Sequence, residues 1–494
     1  MATKGGSVYF FMSEKFTRII NDNVYGAVPL TEAEWEVINT PIFQRLRRIR
    51  QLGLSSYVFP TAEHTRFSHS LGVLFIMGKI TELLHQKGIL NEDDVRKLRM
   101  ASLLHDVGHY PLSHVGEAVF MRIQFEEEQV IRKKSSVSDE NDLTKAGRRY
   151  RVKSVSHERV GAAIITRHHN HKIANILKKH RFDPVELAKI INGEHEDNII
   201  YNQLMHSSLD ADRLDYLLRD ATHTGVRYGL VDFDYLVRHL EIGEEKDTQG
   251  NPVKVIGVSQ KATHVLEHYL TARYFLYSQV IFHKTVVAFE ILARALMYYA
   301  SKNEMLDGEW FRNYDDIVEN INTAKFLRFN DHLFFRLLHD SRLRKDRQIR
   351  LIAEMLLKRR RPKMIKEVKS LIRTSENRYA PEFISFRTLL DKHLTAVAEK
   401  ASVKPKWLFY HEIPLSFENI SPYLNISETL SEEDKKEAAR IIAKDGTAKL
   451  LIEDQNSVIH HLAALKLVIL RLYCLNTSKA ACGRVLEETE AMLL

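Results

Sequence analysis

Two short stretches, H-T-R-F-S-H-S-L-G at 64–72 and A-S-L-L-H-D-V-G-H-Y-P-L-S-H at 101–114, concentrate imidazoles and carboxylates at spacings that chemistry can use. Apolar residues at Leu71, Leu74, Phe75, Ile80, Leu83 and Leu84 repeat with helical period, which predicts a helix with His69 near its start. Val95, Leu98, Ala101, Leu103 and Leu104 predict a second helix that delivers His105 and Asp106 at its end, with Gly108 expected to stop it. A third helix over 207–220, with Leu209, Leu214, Leu217 and Leu218 on its apolar face, carries Asp212. His69, His105, Asp106 and Asp212 can then meet at one divalent metal. A mixed nitrogen and oxygen set suits a first-row transition ion (Mn, Fe, Zn, Ni or Co), whereas Mg prefers oxygen and enters only as a nucleotide counter-ion. A single His-Asp pair at a helix end can also serve local backbone hydrogen bonding. The crowd beside this pair argues for more: Arg66, His109, His114 and Glu117 share the same windows, and burying them unpaired would be costly. The spacing is neither a zinc finger nor an EF-hand.

Positioning these groups takes a helical scaffold. Thr31, with Glu34 three residues on, predicts a capped helix start, and Thr40-Pro41 begins another with Phe43, Leu46 and Ile49 inward. Its Arg45, Arg47, Arg48 and Arg50 form either positive charge gathered beside the site or a solvated basic face. Residues 8–12 and 15–20 suggest a terminal hairpin or small strands, with 21–26 as a turn. Residues 128–153 are polar and weakly periodic and read as a loop: a lid, a basic contact surface or a passive insertion. Ser156 caps a helix with His157 in its first turn, where an anion can rest. Helices follow over 171–180 and 184–191; His168, His169 and His171 lack an acidic neighbour and read as a solvated helix end. Strand-like pieces over 230–258 predict a hairpin. A long helix over 259–302, broken once, is interrupted by Arg273, His283 and Lys284. Beyond 303 come helices over 330–339 and 349–358, then a basic connector at 359–366 that is either a solvated linker or a nucleic-acid contact. A strand at 405–415, a helix over 430–443 and an apolar stretch at 460–475, suited to a core or a subunit interface, complete the chain. The expected fold is mainly α: a helical core with small β-hairpin elements and an α+β C-terminal region, divided into 1–302 and 303–494.

With 494 residues, 44 % of them hydrophobic, the chain can bury a sizeable core. No unbroken apolar run reaches the 18 or more residues of a spanning helix, and the first residues lack a signal-peptide pattern. Two cysteines, Cys474 and Cys482, fit free thiols in a reducing compartment. The expectation is a cytoplasmic protein with no membrane partner. A formal charge of +8 favours anionic partners without choosing between nucleotide and nucleic acid.

The H…HD…D arrangement resembles the HD phosphohydrolase superfamily. The run R-L-R-R-I-R-Q-L-G-L-S-S-Y-V-F-P-T-A-E-H-T-R-F-S-H-S-L-G-V at 45–73 more closely resembles the deoxynucleoside triphosphate triphosphohydrolases, bacterial dGTPase-like and vertebrate, over about residues 15–300. The resemblance implies an HD-domain core that hydrolyses dNTPs at the α-phosphorus, releasing deoxynucleoside and inorganic triphosphate, with the four metal ligands named above. It assigns catalytic work to His109, His114, Glu117 and His157; the His114–Glu117 pair matches a family His-Asp pair, with Glu for Asp. Gln51, Leu52, Tyr216 and Asp220 match positions that bind the substrate, Gln51, Tyr216 and Asp220 near the sugar 3′-hydroxyl. Arg66, Arg213, Arg273 and Lys284 would neutralise the triphosphate. Ile281 stands where the vertebrate branch has a Tyr that packs near the sugar, so strict deoxyribose selection does not carry over. Asn21, Gln44 and Arg47 match a regulatory nucleotide site between subunits, which implies a nucleotide activator and a homo-oligomer, dimer or tetramer. Asn39 replaces a guanine-reading Asp; an amide cannot accept two hydrogen bonds equivalently, so GTP-specific activation does not carry over either. Two other readings stay open: an HD-type phosphodiesterase or nuclease on RNA or single-stranded DNA, and a non-catalytic nucleotide sensor or nucleic-acid-binding protein. The absence of a further H-D pair disfavours a two-metal enzyme.

Overall fold

The computed structural model describes residues 16–134, 155–166, 172–195, 198–246, 250–340, 343, 345–373, 378–416, 437–475 and 478–493. The Arg66–Gln86 helix lies at the centre. It is apolar on all sides, and 14 of its 21 residues are buried, as a helix without a polar face requires. Among the described residues it is the one helix long and apolar enough to cross a membrane, and 72 % of its apolar window is buried inside this protein. The Glu92–Leu104 and Ala211–Thr224 helices pack against it. Around them stand His114–Lys134, His157–Thr166, Lys172–Lys179, Pro184–Asn192, Ile199–His206, Thr263–Leu276 and Lys284–Lys302. The last two are one helical run interrupted by a π-turn at Tyr277–Ile281, the expected single break.

Local signals explain most of the starts. Thr31 and Glu34 form a reciprocal capping box, Asp183 caps Pro184–Asn192 and Gly193 ends it in a left-handed conformation, φ 69°. Asp210 caps Ala211–Thr224. β1 (Arg18–Asp22) pairs with β2 (Gly26–Leu30), so the hairpin turns at 23–25 and its second strand follows the expected 15–20 piece; residues 1–15, including the predicted piece at 8–12, lie outside the described residues. The His114–Lys134 helix runs into the predicted 128–153 loop, and 135–154 lie outside the described residues, as do His168, His169 and His171.

Two further sheets complete the fold. β3 (Leu240–Lys246) and β4 (Pro252–Ser259) form the expected hairpin, preceded by a short helix, Phe233–Arg238, in what read as strand-like sequence. β7 (Arg440–Ile442) joins β4 in parallel, and β8 (Ala448–Leu450) extends the sheet. Of the helix expected over 430–443, residues 430–436 lie outside the described residues and Arg440–Ile442 are strand instead; buried Ile441 and Ile442 fit a pleated surface better than helical period can indicate. β5 (Lys363–Arg373), β9 (Leu465–Cys474) and β6 (Leu408–Ser416) form an antiparallel sheet with β9 central. The basic connector thus turns into strand at Lys363; past it Val368, Ser370 and Ile372 are buried and Lys369, Leu371 and Arg373 exposed, the period of a half-buried strand. The apolar 460–475 stretch lies largely in a core, with β9 buried from Val468 to Cys474. Cys474 and Cys482 are buried and not disulfide-bonded.

The principal core reaches from Val28 to Leu475 in sequence, and a second core fills the space between the β5–β9–β6 sheet and the Pro381–Lys400 and Lys479–Ala491 helices. Glu290, inside Lys284–Lys302, tests one buried charge. Burial pushes its carboxyl up to about 7, against the pull of Arg294. Folding then favours the protonated form, and the cost of ionisation appears as pH rises from the unfolded range through about 7. Glu290→Gln is expected to raise stability by about 1–3 kcal/mol at pH 8 and by nothing near pH 4. The lower part of that range is expected because the side chain is 19 % exposed. Urea unfolding of both proteins across that pH range measures the difference.

Candidate metal centre and its catalytic neighbours

His69 lies one turn into its helix, His105 caps the end of Glu92–Leu104, and Asp212 sits in the first turn of Ala211–Thr224. Ligand atoms of His69, His105 and Asp106 all lie within 4.8 Å of one another. Asp212 Oδ1 is 2.8 Å from His69 Nε2 and 3.8 Å from His105 Nε2. His69 and Asp106 are fully buried, whereas Asp212 is 37 % exposed and forms the open rim. His69 Nε2 and His105 Nε2 are buried without a hydrogen-bond partner. The carboxylate oxygen beside His69 Nε2 is close but off the direction of a ring N–H. Two orphaned imidazole nitrogens facing two carboxylates fit a divalent transition ion better than a hydrogen-bonded core. Burial disfavours a charged His69, but the neighbouring Asp212 and Asp215 carboxylates outweigh it and push its pKa up to about 10. A divalent cation held by His69, His105, Asp106 and Asp212 would take the place of that proton.

Gly108 does not stop the second helix, which ends at Leu104. Its role is close approach: a Cβ there would lie 2.2 Å from His157 O and 2.3 Å from Gly161 N. That contact carries the His157–Thr166 helix onto the site. His157 donates from its backbone N–H (2.8 Å) and from Nδ1 (3.0 Å) to Glu117 Oε1, and His114 Nδ1 donates to Glu117 Oε2 at 2.7 Å. One buried carboxylate therefore orients two imidazoles. Burial opposes ionisation of Glu117, yet His157 and His114 hold its pKa well below the usual range. Burial likewise opposes a charged His157, but Glu158 and Glu117 push it up to about 10. His109 stacks on His157 with ring centroids 4.0 Å apart; burial and Arg66 keep it neutral. His114, His109 and His157 place ring nitrogens within 4.8 Å of one another, a second cluster that no H-D pair in the sequence announces.

Arg66 is committed to the metal set. Its Nη1 donates to Asp106 Oδ2 at 2.8 Å and its Nε to Ser113 Oγ at 2.9 Å. Burial would raise the pKa of Asp106, but Arg66 and the imidazoles of His105, His69 and His157 hold it well down. Asp220 is buried and paired with His64 at 2.7 Å, and Gln51 is buried with its Oε1 lacking a partner. Arg273 is buried, donating to Ser208 O at 3.1 Å with its Nε unpaired. Arg213 reaches Asp210 (3.4 Å) and Glu437 (3.5 Å); Lys284 is exposed at a helix start. Leu52 and Tyr216 are half-buried, and Tyr216 and Ile281 both pack against the cluster that contains Tyr277 and Phe282. Of the regulatory set, Asn21 is exposed on β1, and Arg47 donates to Gln44 Oε1 at 2.7 Å while stacking over Phe67.

Several positioning residues escape sequence reading. Arg45, expected on a basic face, is buried and donates to Val107 O, His109 O and Phe329 O at 3.1, 2.7 and 2.5 Å. Asp331 accepts from Leu112 N at 2.7 Å and Arg50 N at 2.9 Å. Together they clamp the loop after Asp106, in which Leu112 and Ser113 take left-handed φ of 56° and 57°. Strain of that kind in two non-glycine residues persists only where surrounding contacts over-determine it. Arg45→Ala strands three buried carbonyls and is expected to cost about 3–5 kcal/mol, read by chemical denaturation. Asp215, beyond Asp212 on the same helix, accepts from His69 Nδ1 at 2.7 Å. An Asp three residues after a ligand was the only available signal.

A family model described as HD domain matches residues 66–220, the span from Arg66 to Asp220. An uncharacterized protein of Methanocaldococcus jannaschii is 30 % identical over 315 residues, covering 64 % of this chain and 56 % of that protein. The chain spans about half the length of this and similar uncharacterized relatives. The deoxynucleoside triphosphate triphosphohydrolase SAMHD1 of Bos taurus is 24 % identical over 472 residues, 94 % of this chain and 76 % of the bovine protein. A crystal structure of a hypothetical protein from Aquifex aeolicus superposes with TM-score 0.64 at 24 % identity, covering 95 % of this chain and 99 % of that one, a likeness of fold. An HD domain with histidines and aspartates gathered at one point supports metal-dependent hydrolase activity.

Proposed function

We propose that this HD-domain protein, a distant relative of SAMHD1-like dNTPases, hydrolyses deoxynucleoside triphosphates to deoxynucleoside and inorganic triphosphate. The observation that carries the reading is the His114–Glu117–His157 array set against the His69, His105, Asp106 and Asp212 cluster. A bound divalent ion supplies Lewis-acid polarisation of a phosphoryl oxygen and a lowered pKa for water. His114, half-exposed at the mouth and oriented by Glu117, is placed to move a proton to the leaving 5′-oxygen. His157, held by Glu117 and raised in pKa by Glu158 and Glu117, offsets negative charge developing on the phosphoryl group. Arg213, Arg273 and Lys284 neutralise the remaining phosphates. Gln51, Asp220 and Tyr216 read the sugar: a hydroxyl that pairs with the orphaned Gln51 Oε1 is distinguished from a substrate lacking it. Asn21, Gln44 and Arg47 hold a nucleotide activator in the same reading.

Product analysis tests it. Purified protein with Mn(II) and each of the four dNTPs, alone and in mixtures, is expected to yield deoxynucleoside and intact triphosphate on ion-pair chromatography. Turnover only in mixtures indicates an activator. Pyrophosphate release, or cleavage of RNA or single-stranded DNA with no dNTP product, overturns the assignment.

A further inference from the structure

The metal centre has a buried support that reaches the N-terminal hairpin. His69 Nδ1 lies 2.7 Å from Asp215 Oδ2, with both side chains fully buried. Donation to that carboxylate places the ring proton on Nδ1 and leaves the Nε2 lone pair toward Asp106 and Asp212. Asp215 is held in turn by Arg219, one turn along the same helix: Nε to Oδ2 is 2.8 Å and Nη2 to Oδ1 is 3.1 Å. Arg219 is itself fully buried, and its far side reaches Asp22 at the end of β1, with Nη1 to Oδ2 at 2.9 Å and Nη2 to Oδ1 at 3.2 Å. Asp22 Oδ1 also accepts from the amides of Val24 and Tyr25, at 2.9 and 3.1 Å, which fixes the hairpin turn to the same carboxylate. Tyr25 stacks on Phe75 of the central helix, ring centroids 4.9 Å apart, and lies beneath the Arg219 guanidinium.

Gly72 leaves room for this arrangement. It follows His69 by one turn, and a Cβ there would sit 1.9 Å from Asp215 Oδ1 and 2.4 Å from Arg219 Nη2. Side chains larger than hydrogen would separate the guanidinium–carboxylate pair from the imidazole it supports. Burying an arginine between two carboxylates is not an efficient way to gain stability, since apolar side chains of similar volume often do as well or better. Orientation of a ligand is what the charges add.

We propose that Asp215, Arg219 and Asp22 are positioning residues for His69, which makes the β1–β2 hairpin part of the metal centre. The proposal rests on reading His69 as a metal ligand and not on the identity of the substrate. The hairpin reaches the centre from outside, through Asp22, Arg219 and Asp215 in series. Displacing it loosens the His69 ring without touching any ligand.

The test measures metal binding by the whole chain in the absence of nucleotide. Mn(II) affinity comes from competition with a chelating dye, and the geometry of the site from the visible absorption of the Co(II)-loaded protein. Asp215→Asn is expected to weaken Mn(II) binding about 10- to 100-fold and to shift the Co(II) bands. Asp22→Asn keeps an oxygen for the Val24 and Tyr25 amides but loses the charge on Arg219; a weakening of at least about threefold is expected, with Asp22→Ala weaker still, an ordering that follows from its place at the end of the series. Melting temperatures are recorded alongside. Lower melting temperatures with wild-type Mn(II) affinity and an unchanged Co(II) spectrum would show a structural ion network and overturn the proposal. Should Asp215→Asn not fold, unchanged affinity in Asp22→Asn overturns it as well. Wild-type protein that binds neither ion overturns it with the metal reading itself. Loss of affinity in the variants, in a protein that cleaves no dNTP, upholds the support and removes only the substrate assignment.

Discussion

His105→Ala and Asp106→Asn are each expected to bring the metal content of the purified protein from about one ion per chain to a small fraction of that, and to abolish hydrolysis with it. Loss of a residue that only supports a ligand costs about 10- to 100-fold in affinity, and loss of a ligand costs more. The two variants differ informatively. His105 caps a helix end with Nδ1 donating to Ser102 O at 2.7 Å, so alanine removes one imidazole and one local hydrogen bond. Asp106 is the charge that Arg66, fully surrounded, is paired with at 2.8 Å. Breaking a buried pair of this kind costs about 3–5 kcal/mol, because the partner charge is left unmatched. Asp106→Asn is therefore expected to lower the unfolding midpoint as well, and His105→Ala to lower it less. Elemental analysis, product chromatography and urea unfolding on the same preparations give the three readouts. Full metal content in both variants would remove the centre from its proposed place.

Glu117→Gln is the second large effect, and it separates chemistry from metal binding. The carboxylate accepts three hydrogen bonds, from His114 Nδ1, His157 Nδ1 and His157 N. An amide offers one accepting oxygen, and its NH2 group faces a donor on the other side. One of the two imidazoles must then turn or change tautomer. A fall in kcat of about 10²- to 10⁴-fold is expected, the usual worth of a positioned acid or base, with KM changed far less and metal content unchanged. Glu117→Asp restores the charge type that the resembling family has at this position and is expected to recover part of the rate. Wild-type kcat in Glu117→Gln would take His114 and His157 out of the chemistry.

Helical period and capping residues were enough to place the ligands on their elements. The phase of Leu71, Leu74 and Ile80 put His69 on a helix, and the Thr31–Glu34 box appears as read. Local patterning failed where a partner strand decided the outcome. Ile441 and Ile442 became strand because β4 offered an edge at Val258 and Ser259, more than 180 positions away, and Lys363 begins a strand because β9 lies beside it. Arg45 looked like one of four surface arginines. Its burial depends on carbonyls at 107, 109 and 329, which no window around position 45 contains.

The candidate chemistry is written in residue type and short-range spacing, and these belong to the sequence: two histidines and two aspartates on or just past the ends of three helices, a His-x-x-Glu pair in the first turn of a fourth, and a scaffold that is mainly α. What only the tertiary structure decided is commitment. Arg66 pairs with Asp106, Asp220 pairs with His64, and Asp215, Arg219 and Asp22, spread over nearly 200 positions, converge behind His69. A buried charge must find its partner wherever the fold places one, because leaving it alone costs more than any local preference can offset. Period and propensity act over a few residues, and the pairing of buried charges acts across the whole chain.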